Sequence, residues 1–323
     1  MLSSAALVFA YRLDGNGGGA LLGADEAPGA GDPGPFWVHL DRSQPETARW
    51  IRERSGIDPV AAAALLAEDT RPREARSDDG LLVILRGVNL NPGAEPDDML
   101  SLRMWVDSRR LVSLRHHRFL AVHDVRELLD QGRGPTSPGD LLVDLAERLG
   151  ERMSDVLDSL SDRLDMLEDE VIADESHAIR PKLARVRREA IALRRYLAPQ
   201  RDVLARLQNE RVEWLTDMDR LRLREAADRM TRYVEDLDAM RDRAAVTQDE
   251  LNNRLSERMN RTMYVLSLVA AIFLPLGLMT GLLGINVGGI PWADDPAGFA
   301  AVTGILVLIA VGLVSLFRWM RWL

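Results

Sequence analysis

The sequence predicts an α+β domain of α/β/α layering, followed by long stalk helices and a two-helix transmembrane hairpin. Three observations carry that reading. Short apolar runs bounded by turn residues fill residues 1–136. Leucines at three- and four-residue steps continue from Ser137. Two runs near the C-terminus contain no charge at all.

The elements follow in chain order. Met1–Ala10 lacks a positively charged start, and its apolar stretch runs into Tyr11-Arg12, so it reads as a first strand and not as a signal peptide. Gly15–Pro35 is rich in Gly, Ala and Pro and predicts a flexible loop. Phe36–Leu40 and Leu81–Leu85 read as strands. Leu100–Trp105 and Leu111–Leu114 form a hairpin around Asp107–Arg110. Pro45–Arg54 and Asp58–Leu66 read as helices, the second with Asp58 as N-cap and Pro59 at the first helical position.

Residues 137–261 are predicted to be long cytosolic helices. Leu142, Leu145, Leu149, Val156, Leu160, Leu164, Leu167 and Val171 share one face of a helix that starts at Ser137-Pro138. Its end is acidic (Asp162, Asp165, Glu168, Asp169, Glu170). The next helix begins basic (Arg180, Lys182, Arg185, Arg187, Arg188), and the two are expected to pair as a hairpin. The acidic run either attracts cations or is a solvated helix end. A third helix is expected from near Asp202. No Gly or Pro interrupts residues 200–274, which predicts one stalk helix entering the first membrane span.

Thr262–Leu283 is 22 uncharged residues, about 33 Å of helix against a hydrocarbon core of about 30 Å. Phe299–Phe317 is a second uncharged run. The transmembrane helices are placed at 262–283 and 299–317, with an outer loop at 284–298 and a tail at 318–323. Arg258, Arg261, Arg318 and Arg321 flank the spans, whereas the loop has no Lys or Arg. The positive-inside rule puts both termini in the cytoplasm of a cell with the hairpin in its inner membrane.

The chain of 323 residues has 50 acidic and 41 basic side chains and a formal charge of −9. All of that net charge sits in residues 1–261, because Asp294, Asp295, Arg318 and Arg321 cancel beyond them. The mean hydropathy of −0.12 thus averages two unlike parts. The absence of cysteine excludes disulfide scaffolds, thiolate metal sites and cysteine nucleophiles. An acidic domain argues against nucleic acid as a partner. No phosphate loop, nucleophile elbow or zinc-protease motif appears, so no enzyme activity or resident cofactor is expected. His116 and His117, read as strand neighbours, are expected to point to opposite faces and not to share a metal.

Two helices cannot enclose an ion path, so conduction needs several copies around a ring. A seven-residue repeat places Asn253, Asn260, Ser267, Leu274 and Gly281 on one seam. Asp249, Ser256, Met263, Ala270, Gly277 and Gly284 lie beside them. These positions are small or polar, with apolar rings at Met263 and Leu274, as a narrow pore requires. Close helix packing through Gly277 and Gly281 is the competing reading. Asn286, where the first span ends, offers an amide oxygen that suits a hydrated divalent cation, although a helix C-cap uses the same residue. Asp294 and Asp295 either concentrate cations at the mouth or are solvated loop acids.

Gly284-Ile285-Asn286 before a short loop and one last span resembles the CorA superfamily of divalent metal ion transporters, where Gly-Met-Asn is usual. Thr280–Pro291 looks like the ZntB-like zinc transporter branch, and Phe273-Leu-Pro275 and Arg71–Leu85 also match. The resemblance covers essentially the whole chain. It implies a funnel-shaped homopentamer in the lipid bilayer, with the stalk helix lining the pore. Gly284, Ile285 and Asn286 would form the selectivity filter. Asn286 would hold the hydrated ion through water, and Asn260 and Asp249 would line the inner path. Zn2+ is the expected cargo. Mg2+, or Co2+ or Ni2+, through the same architecture is the alternative, and a membrane-anchored coiled-coil adaptor is the reading from another class.

Overall fold

In the computed structural model, residues 2–29, 31–68, 70–77, 80–173, 178–282 and 295–319 are described. They divide into two compact units, 1–248 and 249–323.

The first unit is built on a mixed seven-stranded sheet of order β2-β1-β3-β7-β6-β5-β4. Its strands are β1 (Leu7–Leu13), β2 (Gly19–Leu22), β3 (Phe36–Asp41), β4 (Arg73–Ser77), β5 (Gly80–Gly87), β6 (Leu100–Val106) and β7 (Arg110–Arg115). Only β3 and β7 pair in parallel, with Val38 opposite Val112. Alternation along the strands sorts side chains onto two faces. Val38, Leu40, Ile84, Val112 and Leu114 join Ile51 of α1 (Pro45–Glu53) and Leu65 of α2 (Pro59–Leu66) in one core. The opposite face carries Trp37, His39, Met104 and Leu111, all buried. Helices α3 (Leu120–Asp130) and α4 (Pro138–Ala173) pack together, and α4 meets β5, β6 and β7, which completes the α/β/α layering. Gly80 opens β5 because any β-carbon there would lie 2.2 Å from the Trp105 ring.

The strands and helices expected in the first 115 residues match these elements, with two departures: β4 has no counterpart in the sequence reading, and one expected loop holds a strand. The expected loop Gly15–Pro35 contains β2, paired antiparallel to β1. Glycine and alanine weaken β-propensity, but at a sheet edge backbone pairing with β1 suffices.

The helix capping is explicit. Asp58 accepts from the Val60 and Ala61 amides at 3.0 Å each. Ser137 Oγ accepts from the Asp140 amide at 3.1 Å at the head of α4. The third long helix begins later than expected. Helix α5 (Ile179–Leu207) runs past Asp202, and α6 (Asp217–Leu282) starts after a connector at 208–216. A reciprocal cap fixes that start: Thr216 Oγ1 accepts from the Asp219 amide, and Asp219 accepts from the Thr216 amide and hydroxyl. Helix α6 continues to Leu282 through Pro275.

Ion pairs tie these helices together. Lys182 of α5 meets Glu170 of α4 at 3.0 Å, so the acidic and basic ends do pair. Arg243 of α6 reaches Asp165 and Glu168 of α4. Arg222 of α6 inserts between Asp140, Asp144 and Glu147 of α4. Burial works against the Arg222 charge, but hydrogen bonds to Glu147 and Asp144 outweigh it and raise the guanidinium pKa. Asp144 is pushed upward by its own burial, with the Arg222 bond and charge opposing.

His39 is fully buried, stacks on Phe9 at 4.9 Å, and has Nδ1 2.7 Å from Ser113 Oγ. The Trp37 indole N–H donates to the same oxygen at 2.8 Å. Burial, then the Arg115 charge, lowers the His39 pKa to about 3. The unfolded state then binds the extra proton first, so stability is lost as pH falls from about 6.5 towards 3. The slope is about 1.4 kcal/mol per unit. Thermal unfolding of the full chain in detergent should show this acid sensitivity, and His39→Leu should flatten it. An unchanged slope in His39→Leu would remove His39 as its cause.

The second unit contains the membrane part of α6 and helix α7 (Gly298–Trp319). Both helices are long and apolar enough to cross a membrane, and their apolar windows are not buried.

Candidate functional site: the membrane face of helix α6

From Thr262 to Gly281 the half-buried residues of α6 are Leu268, Ala271, Ile272, Pro275, Leu276, Met279 and Thr280. Their spacing of three and four marks one covered stripe. Helix α7 has a matching stripe at Val302, Leu306, Ile309, Ala310, Leu313 and Phe317. The remaining surface of both spans is open.

The predicted pore residues fall on the open side. Asp249, Asn253, Ser256, Asn260, Met263, Ser267, Ala270, Leu274, Gly277 and Gly281 are all exposed. At about 100° per residue, the seam from Asn260 to Gly281 points away from the covered stripe. A β-carbon at Gly277 or Gly281 would meet nothing within 4 Å, so among the described residues neither glycine serves close packing. The Met263 and Leu274 side chains are left 51% and 72% exposed by the described residues. Burying them requires lipid or another subunit.

Gly284, Ile285, Asn286 and Asp294 lie outside the described residues. Asp295 is described, and its Oδ1 accepts from the Ala297 amide at 2.9 Å. Its carbonyl accepts from the Gly298 amide, so it closes a turn that leads into α7. The turn occupies one carboxylate oxygen, a role that the sequence reading does not assign to it.

Elsewhere in the chain, no group of three or more His, Asp or Glu is placed to hold a metal among the described residues. His116 and His117 do not sit on a strand, because β7 ends at Arg115. Their rings come together, 4.6 Å between centroids, instead of facing apart. The correction follows from the bend after β7, which ends the alternation that separates neighbours on a strand. The acidic end of α4 is largely committed to ion pairs, with Asp165, Glu168 and Glu170 all partnered.

Known proteins match this chain over nearly its whole length. Residues 33–320 match the family described as CorA-like Mg2+ transporter protein. The divalent cation transporter CmaX of Pseudomonas aeruginosa is 42% identical over 98% of this chain and 97% of its own. The zinc transport protein ZntB of Pectobacterium carotovorum is 38% identical over 100% of this chain and 98% of its own. The solved structure of full-length CmaX superposes with a TM-score of 0.86 at 40% identity, covering 99% of each chain. The complete CorA magnesium transporter of Methanocaldococcus jannaschii shares the fold at TM-score 0.80 and 20% identity, over 100% of each chain.

Proposed function

The chain belongs to the CorA-like Mg2+ transporter family, and on that premise we propose that it moves divalent metal cations, Zn2+ above all, through the central pore of a homopentamer. One observation carries the pore. The seam of α6 that is small and polar, Asn253 to Gly281, lies on the side that the other described residues leave open. Five such faces around an axis enclose a path with polar rings at Asn253, Asn260 and Ser267 and apolar constrictions at Met263 and Leu274. An anchor for an adaptor has no use for polar side chains along that line.

In this reading Asp249 and Ser256 lie at the cytosolic entrance. Gly284, Ile285 and Asn286 form the outer filter. Asn286 meets the ion through its water, since Mg2+ and similar cations lose their hydration shell reluctantly. Asp294 adds negative charge at the mouth, and Asp295 keeps one oxygen for that role beside its turn. The arginine pattern puts both termini in the cytoplasm and the loop outside. Zinc is favoured by the ZntB relatives and by isoleucine at 285. Magnesium through the same pore is the second reading, favoured by the family's description.

The cysteine-free chain makes the pore face directly testable. Single cysteines at Asn260, Ser267 and Gly277 should react with a charged, membrane-impermeant thiol reagent in reconstituted vesicles. Cysteines at Ile272 and Leu276 should react at least tenfold more slowly. Equal rates at all five positions would contradict the assigned pore face.

A further inference from the structure

Helices α4 and α5 carry two charged stripes that their own chain leaves unanswered. The second half of α4, residues 151–173, has eight acidic and two basic side chains, and α5 has nine basic and two acidic. Part of that charge is used within the hairpin, where Glu170 meets Lys182 and Glu189 meets Arg163 and Arg185. What remains is ordered. On α4, Asp155, Asp158, Asp162 and Asp169 are exposed and make no ion pair or hydrogen bond among the described residues. On α5, Arg180, Arg187 and Arg188 are in the same state, and exposed Arg195 has only the ring of its neighbour Tyr196, 5.7 Å away. At about 100° per residue, each set lies on one face of its helix. Each is turned away from the buried side, which is Leu157, Leu160 and Leu164 in α4 and Leu183, Val186 and Leu193 in α5. Asp174 and Glu175, in the turn between the helices, lie outside the described residues. Added to either helix, they change the sign of neither.

A second copy of the chain fits both stripes. They are opposite in sign and alike in length, about 21 Å from Asp155 to Asp169 and about 22 Å from Arg180 to Arg195. Their heights also agree. The pairs Arg163–Glu189 and Glu170–Lys182 set the two helices in antiparallel register. In that register Asp158 is level with Arg194 and one residue from Arg195, Asp162 is two residues from Arg188, and Asp169 is three from Arg180. Rotation about a ring axis along the helices keeps these levels from one copy to the next. Covering the stripes would also bury two large apolar side chains, Met166 and Ile191, now 58% and 47% exposed.

We propose that the acidic stripe of α4 docks on the basic stripe of α5 in the neighbouring copy, a head-to-tail contact that repeats around the ring. The contact presupposes the ring of copies proposed above and adds where, in the first unit, neighbours join. Single exposed ion pairs contribute little, so the stripes act together and chiefly fix register and partner.

The cysteine-free chain allows a direct test. Full-length Asp162→Cys and Arg188→Cys chains with different tags are co-expressed, purified in detergent and treated with a short bis-maleimide, and particle mass is read by light scattering. A cross-linked dimer bearing both tags is expected, well above the dimers that either variant gives alone. Adding Asp155→Arg and Asp169→Arg to the first chain should cut that yield about threefold. Arg180→Asp with Arg195→Asp in the second chain should restore it. All six positions are exposed, so the fold is not at stake. Absence of the mixed dimer from particles with the mass of a pentamer would overturn the proposal, leave the stripes to solvent or to another kind of partner, and keep the ring. Particles with the mass of a monomer would overturn both. A mixed dimer insensitive to charge reversal would also overturn the proposal, because the contact would then owe nothing to the stripes.

Discussion

Asn286→Leu is expected to cut Zn2+ uptake into protein-containing vesicles at least tenfold while leaving the protein folded and inserted. The amide oxygen of Asn286 is a neutral acceptor for water bound to the ion, and leucine has nearly the same size and no acceptor. A hydrogen bond to a charged partner contributes about 1.5–3 kcal/mol, which is roughly ten- to hundredfold in occupancy for a single lost contact. In a ring of identical subunits every copy loses it together. Asn286→Gln keeps an amide and should retain part of the flux. Full uptake by Asn286→Leu would end the assignment of 284–286 as the filter, and would return Asn286 to the role of a helix C-cap.

The second large effect concerns stability. Arg222→Met should destabilise the first unit by about 3 kcal/mol, near the lower end of the cost of removing one partner from a buried ion pair. The Arg222 side chain is 27% exposed, and Asp140, Asp144 and Glu147 are 22%, 15% and 25% exposed. Without the guanidinium, Asp144 keeps the burial and the neighbouring Asp140 and Glu147 charges that raise its pKa and loses the Arg222 bond and charge that oppose them. Groups with a raised folded pKa favour the folded state at low pH and lose that contribution as pH rises. The deficit of Arg222→Met relative to the parent should therefore shrink between pH 7 and pH 5. Thermal unfolding of both proteins at the two pH values measures it. A deficit that stays constant with pH would mean that lost packing, not charge repulsion, causes it.

Much of the architecture is legible in the amino-acid sequence because its signals are local and repeated. Short apolar runs mark β3, β5, β6 and β7, and Asp58-Pro59 marks the start of α2. The two uncharged runs correspond to the membrane part of α6 and to α7. What the sequence hides depends on contacts distant along the chain. β2 has no apolar run and exists through its pairing with β1. Nothing in the period of 200–240 reveals the gap between α5 and α6. The reciprocal Thr216–Asp219 cap is a usable signal there, one that Gly and Pro positions do not report. Asp295 reads as a cation attractor, yet its carboxylate also accepts from the amide two residues on, in the turn that leads into α7.

The pore face is legible in part. Period seven places Asn260, Ser267 and Gly277 on one side, but sequence alone leaves packing and pore open. The covered stripe from Leu268 to Thr280 lies on the other side of α6, and a β-carbon at Gly277 or Gly281 would meet nothing within 4 Å among the described residues.

This chain, assembled with its own copies and no other protein, is expected to carry divalent cations across a bilayer. Purified protein in liposomes, with a metal-sensitive dye inside and Zn2+ or Mg2+ supplied outside, tests that most directly. The predicted result is uptake far above protein-free vesicles, faster for Zn2+ than for Mg2+, and lost in Asn286→Leu. Comparable rates for the two ions would contradict the preference for zinc. No uptake of either ion by correctly inserted protein would contradict the transport reading itself.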